Sequence, residues 1–278
     1  MTGLWTPPPL WTPPPPLRMP PRQTRRRRGL PLRSAPGFSL GFLSGPPPGG
    51  GGTAPSIVSG TDTLFRSTTG GTTFNNTYDS GASGSNRCLF AFVTADVTNG
   101  NDVSGVTYDG NAMTEVEQVA ANYPDPWIVG GSCWRLVNPP TGENALNVTY
   151  TGTSDKRQVF AVVVQDVNQT TPVNASTSAG TEVMPVGTGT QEFDTGVTTT
   201  VDDCFLLAML MSGGASAWSP TAGSTELSDD QVTYLASTIL SKEAPTAGAY
   251  TLASTATYNI SGADGEQLTE IAVAVAPA

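Results

Sequence analysis

From Ile57 onward the large apolar residues come in short runs, each bounded by Gly, Asn, Asp, Pro or Ser. Residues 87–93 (Arg-Cys-Leu-Phe-Ala-Phe-Val) and 159–164 (Val-Phe-Ala-Val-Val-Val) are apolar at nearly every position over the length of one strand. That pattern predicts central strands covered on both faces. Leu146, Val148 and Tyr150 alternate with polar residues, the signature of a strand with one face in water. Val106–Met113 predicts a hairpin whose tight turn is Asp109-Gly110. No stretch repeats Ala, Leu, Glu, Lys and Arg at 3.6-residue spacing, so the class is all-β.

The second half of this region echoes the first. Cys88-Leu89-Phe90-Ala91-Phe92 aligns with Cys204-Phe205-Leu206-Leu207-Ala208, and Trp134–Gly142 with Thr238–Thr246. Each echo leads into a tyrosine-bearing strand, at Tyr150 and at Tyr250 with Tyr258, and each half closes on an aliphatic strand, at 160–164 and 271–275. Two such sets can form tandem sandwiches or the halves of one larger jelly-roll-like sandwich. The joining stretch, Asp166 to Thr200, has few apolar residues and no Pro/Gly linker, which favours one body. The expected fold is a jelly-roll-like antiparallel β-sandwich over residues 56–278, built from two similar halves at about 56–168 and 169–278.

Residues 1–55 differ in kind. They hold 15 of the 24 prolines, seven arginines and no acid, whereas the rest carries six cations against all 23 acids. Such a segment cannot bury a core and reads as an extended arm for lying on a partner. Leu4–Pro9 recurs at once as Leu10–Pro15, placing Trp5 and Trp11 six residues apart. In polyproline II, with three residues per turn, both indoles project from one side. Arg18, Arg22, Arg25, Arg26, Arg27, Arg28 and Arg33 supply the charge, and Phe38 and Phe42 lie among further apolar residues that a merely solvated tail does not need. Pro46-Pro47-Pro48 followed by four glycines is a stiff piece with a swivel.

The chain has no histidine, which excludes Ser-His and Cys-His nucleophile pairs and the commonest transition-metal ligand. A carboxylate-only hydrolase remains as chemistry, yet no acid pair is spaced for it. Asp202-Asp203 and Asp229-Asp230 read as loop acids. Cys88, Cys133 and Cys204 are odd in number and lack metal-ligand spacing, so they are expected as buried small hydrophobes. Asp96, Asn99, Asn101 and Asp102 offer oxygens in one loop but match turn material better than a Ca²⁺ loop. No cofactor and no metal are expected. The N-terminus lacks the order of a secretory signal, and the longest apolar run, Cys204–Met211, is too short to span a bilayer. No membrane partner is expected.

The succession Asn86–Val93, Val103–Thr114 and Trp134–Gly142 resembles a loose group of β-sandwich domains found in structural proteins of tailed bacteriophages and in prophage-derived proteins. The resemblance covers about residues 60–276 and rests on strand and turn patterns. It implies a non-enzymatic virion component, such as a capsid decoration protein, head fibre or tail-associated protein. Its arm would dock on other virion proteins through Trp5, Trp11, the seven arginines, Phe38 and Phe42. The expected location is the virion, and a homo-oligomer is expected because virion positions are symmetric and arms reach adjacent subunits. A carbohydrate-binding adhesion module is the alternative, with Tyr123 and Trp127 as candidate glycan-binding residues and Trp134 and Trp218 weighed beside them. Nucleic acid is a less favoured partner for the arm, because a tryptophan–proline repeat precedes the arginines and lysine is absent there.

Overall fold

The computed structural model describes residues 53–97, 103–120, 128–154, 156–232, 235–260 and 266–278. The arm therefore lies outside the described residues, and so do Tyr123, Trp127, Asn99, Asn101 and Asp102. The strands of the first half are β1 (Ser56–Ile57), β2 (Thr63–Ser67), β3 (Gly71–Asp79), β4 (Cys88–Val97), β5 (Val103–Tyr108), β6 (Asn111–Ala112), β7 (Thr114–Ala120), β8 (Ile128–Val137), β9 (Glu143–Ser154) and β10 (Arg157–Gln165). Those of the second are β11 (Val173–Met184), β12 (Gly187–Thr198), β13 (Cys204–Ser212), β14 (Ala215–Thr221), β15 (Thr225–Val232), β16 (Leu235–Ala244), β17 (Ala249–Ile260) and β18 (Glu266–Val275).

Each half is an antiparallel sandwich with its own core. The first pairs a large sheet, β1-β10-β4-β8-β7 with β2 also on β10, with a small sheet, β3-β9-β5-β6. The second pairs β11-β18-β13-β16-β15 with β12-β17-β14. Counting β1 with β2 and β6 with β7 as single interrupted strands, both halves have one topology. The first, eighth, third, sixth and fifth strands form the large sheet, and the second, seventh and fourth form the small one. This is a jelly-roll order in which the fifth strand has moved to the large sheet. In the first sandwich that move is visible within one strand: Asn111–Ala112 pairs with β5, and after Met113 the chain joins β8. The Asp109-Gly110 turn sits where the sequence predicts it, both residues at positive φ (51° and 75°), as a two-residue hairpin turn requires.

The joining stretch differs from its expectation. Most of residues 166–200 is β11 and β12, the first two strands of the second sandwich, rather than a connection. Both are edge strands of their sheets. Edge positions bury little, so their small and polar residues give a weak strand signal.

Two β-bulges fix the correspondence between halves. The register slips between Glu115 and Glu117 opposite Trp134 and Cys133, and again between Glu226 and Ser228 opposite Leu240 and Ile239. It also slips between Val103 and Gly105 opposite Tyr150 and Thr149, and between Ala215 and Ala217 opposite Tyr258 and Thr257. Matching the bulges sets Ala91 on Ala208 and Ala161 on Ala272, which are paired alike within each sheet. Cys88 then matches Phe205, one residue beyond the Cys88–Cys204 alignment read from the sequence. The two cysteines face opposite sides: Cys88 lies between the sandwiches and Cys204 inside the second one. A slip of one residue exchanges the two faces of a strand, so the cysteines cannot mark the repeat.

The large sheets pack face to face, giving four layers and three cores. Leu89, Ala91, Tyr108, Trp134 and Val148 are buried in the first sandwich, and Phe193, Leu206, Leu210, Trp218 and Leu252 in the second. Between them Cys88, Phe90, Phe92, Phe160 and Val162 meet Leu207, Met209, Met211, Ile271 and Val273. Strands β4, β10, β13 and β18 are thus apolar on both faces, as the continuous runs predict. The polar rim of this interface is reciprocal. Arg66 on β2 meets Asp230 on β15, while Ser176 and Ser178 on β11 donate to Glu117 on β7. Strand β2 corresponds to β11 and β7 to β15, so the two contacts exchange partners as they would across a two-fold axis.

Candidate functional site

The body has two unlike ends. At one, Cys88 pairs with Val164 and Val137, and Ser56 with Gln165, so the chain enters the first sandwich there. The C-terminus returns to the same place: Ala278 N–H donates to Asp166 O at 2.9 Å, and Val167 bridges to Pro277. This end is tied by polar contacts. Tyr78 donates to Thr61 O at 2.7 Å, Tyr108 to Gly142 O at 2.7 Å, Ser80 to Pro140 O at 2.5 Å, and the buried Arg87 to Ser80 O. Burial pushes the Tyr78 phenol above its ordinary range.

At the opposite end β4 stops at Val97 beside Ile128, and β13 stops at Ser212 beside Ala236 and Leu268. Both sandwiches have chain connections on this side, as they do at the other end, and cross-sandwich contacts join equivalent levels. Ser237 donates to Gln158 Oε1 at 2.9 Å and Thr269 to Val129 O at 3.3 Å. The sandwiches come so close here that a methyl group on Gly131 would be driven into Met211.

Arginine 157 stands at this end of the first sandwich. It is buried, its guanidinium lying 5.4 Å from the Phe74 ring centre and 5.3 Å from that of Tyr150. Nη1 donates to Gly71 O at 3.2 Å and Thr73 O at 2.8 Å, and Nη2 donates to Thr69 O. A buried cation is held by carbonyl dipoles and ring faces in place of water. Burial raises the Tyr150 phenol, and the neighbouring Arg157 charge opposes that rise. Sequence reading singled out neither Arg87 nor Arg157 as a site residue. The available signal was an arginine at the start of a strand otherwise apolar on both faces.

The body's cations are largely engaged. Arg87 and Arg157 serve backbone carbonyls, Lys242 donates to Ala222 O at 2.6 Å and Thr251 O at 3.0 Å, and Arg66 pairs with Asp230 at 2.7 Å. The outer faces of the two small sheets carry no Lys or Arg. On β3 the residues facing out are Thr73, Asn75, Thr77 and Asp79, and on β12 they include Thr190, Glu192, Asp194 and Thr198.

Of the four aromatics considered for sugar stacking, Trp134 and Trp218 are core residues. Trp134 donates to Ser132 Oγ at 2.8 Å, and Trp218 packs 6.2 Å from Phe193. Neither is available to a ligand. Tyr123 and Trp127, with Trp5, Trp11, the seven arm arginines, Phe38 and Phe42, lie outside the described residues. Asp229 and Asp230, read as loop acids, lie instead on β15, where Asp229 is exposed and Asp230, on the other face, pairs with Arg66. The three cysteines are buried and free, and burial pushes Cys88 up to about 12 and Cys204 up to about 11. No protein-family model and no curated protein sequence matches the chain.

Proposed function

We propose that this chain is a non-enzymatic structural protein of a tailed-phage particle, in which the basic arm docks on other virion proteins and the acidic double sandwich is displayed. The observation that carries this reading is the polarity of the body. The described chain enters at the polar-tied end, and both sandwiches share the opposite end, where β4 stops at Val97 and β13 at Ser212. A protein held by its leading segment presents its far end, and here that end belongs to two sandwiches at once. The charge division supports the same reading, with seven arginines and no acid before residue 56 and all 23 acids after it.

Deleting residues 1–55 tests it. The expected outcome is a soluble, folded body that no longer joins purified particles, because the three cores among the described residues lie beyond residue 55. Normal incorporation of the truncated protein would refute the docking role. Mass spectrometry of separated heads and tails would then place the intact chain, and its absence from both would refute the virion assignment.

A carbohydrate-binding module is the second reading. It is favoured by one observation: β7 ends and β8 begins, on either side of Tyr123 and Trp127, at the end of the body opposite the chain's entry. Glycan binding abolished by Trp127→Ala would move this reading ahead, and no binding across a broad glycan set would remove it.

A further inference from the structure

Strands β3 and β12 are the same strand of the two sandwiches, each the edge of its small sheet, yet their surroundings are opposite. The bulge correspondence sets Thr73 on Thr190, Asn75 on Glu192 and Thr77 on Asp194. Beside β3, Arg157 places a cation on the carbonyls of Thr69, Gly71 and Thr73. Its counterpart in the second sandwich is the buried Leu268, which can donate nothing. Where the first sandwich has neutral Asn75 and Thr77, the second exposes two acids, Glu192 and Asp194. None of β12, β14 and β17 contains Lys or Arg. One edge thus brings its own cation, and the other lacks it and has gained negative charge.

The β12 edge is also well shaped for a further strand. It pairs with β17 over twelve consecutive residues, Gly187 to Thr198, without a bulge, and no strand among the described residues pairs with its other side. It carries no proline and no lysine, the usual protections of an exposed edge. Pairing with the β12 of another copy in the register centred on Phe193 would set Glu192 against Asp194 and is disfavoured by like charge.

We propose that the outer edge of β12 is a strand-addition site for an extended basic peptide, and that its occupant is Arg22–Leu30 of a neighbouring copy. This rests on reading the arm as a docking element and names one of its partners. Strand addition requires backbone donors, which proline lacks. Arg22–Leu30 is a nine-residue stretch without proline, between Pro21 and Pro31, and it holds five arginines. The other proline-free stretch of that length, Gly37–Gly45, is uncharged. Arg25 and Arg27 fall on one face of an extended strand, two residues apart, matching the spacing of Glu192 and Asp194. The contact joins different surfaces of two copies, so it closes where arms are exchanged reciprocally and otherwise propagates from copy to copy.

Sedimentation velocity of the full chain over a range of concentrations tests the proposal. At low ionic strength the mean mass rises with concentration, and in about 1 M salt, where the screening length is roughly 3 Å, it falls to that of one chain. Replacing Arg25 to Arg28 with serine abolishes the rise, and Glu192→Gln with Asp194→Asn weakens association about tenfold. Asp79→Asn with Glu143→Gln, acids on the outer face of the other small sheet, changes it less than about twofold. A single-chain mass at every concentration, parental association in the Glu192/Asp194 variant, or equal weakening in the Asp79/Glu143 variant would overturn the proposal. If arm deletion abolishes particle incorporation while the Glu192/Asp194 variant associates normally, this inference alone falls. If the deletion incorporates normally, the reading beneath it falls.

Discussion

The two sandwiches share strand order, two bulges and a common buried layer, but they close differently. The first uses buried polar groups: Arg87, Tyr78 and Tyr108 tie one end, and Arg157 pins the start of β3 at the other. The second sets Leu268 where Arg157 stands and Thr195 where Tyr78 stands, and it leaves an acidic edge. The two halves share what packing demands, namely the apolar faces of β4, β10, β13 and β18, because a single reversed face would expose a core. Edges bury less and are free to differ, and a difference there is where a partner can be specified.

The largest expected effect comes from removing the buried cation that separates them. Arg157→Met should destabilise the protein by about 3–5 kcal/mol in urea denaturation, since three carbonyls lose their donor. Leu268→Met at the matching position should cost under about 1.5 kcal/mol. Similar losses at both sites would erase the contrast between the edges.

Next in size is the shared layer. Gly131→Ala should cost about 1 kcal/mol, because the methyl would meet Sδ and Cε of Met211, the movable end of a long side chain, and combining it with Met211→Ala should recover part of that loss. Additive losses would show that the two residues do not meet. The paired rim contact sharpens the same point from the other side. Arg66→Ala should cost at most about 1 kcal/mol, because its side chain is 64% exposed and its bond to Asp230 is screened by water.

The smallest effect comes from an acid on the β15 edge. In Glu226 one carboxylate oxygen, Oε2, is sealed off, and burial, then the charge of Asp229, raises its pKa. A raised acid binds its proton more tightly when folded, so its contribution favours the fold at low pH and is lost as pH rises through the folded value. Glu226→Gln should therefore raise the melting temperature slightly at neutral pH, with the gain shrinking on acidification. A gain that stays the same from neutral to acidic pH would contradict the burial of the Glu226 carboxylate.

Much of the fold was legible in the sequence because it lies in periodicity. The continuous runs around Phe90 and Val162 required cover on both faces, and Leu146, Val148 and Tyr150 marked a half-wet strand. Register was not legible, since Cys88 and Cys204 look equivalent and are offset by one residue. Only the bulges reveal that, and a bulge leaves no composition of its own. The roles of Arg157 and Leu268 depend on pairs far apart in sequence, which no local pattern encodes. The arm's residues, legible as a basic proline-rich segment, lie outside the described structure together with Tyr123 and Trp127.

Hydrogen exchange on the full chain, following the backbone amides of β3 and β12 together at low ionic strength, tests the contrast most directly. Exchange across Gly187–Thr198 should slow as concentration rises and return to its dilute rate when Arg25 to Arg28 are serine, while Gly71–Asp79 stays unchanged. Equal protection of both strands, or none on β12, would contradict the account.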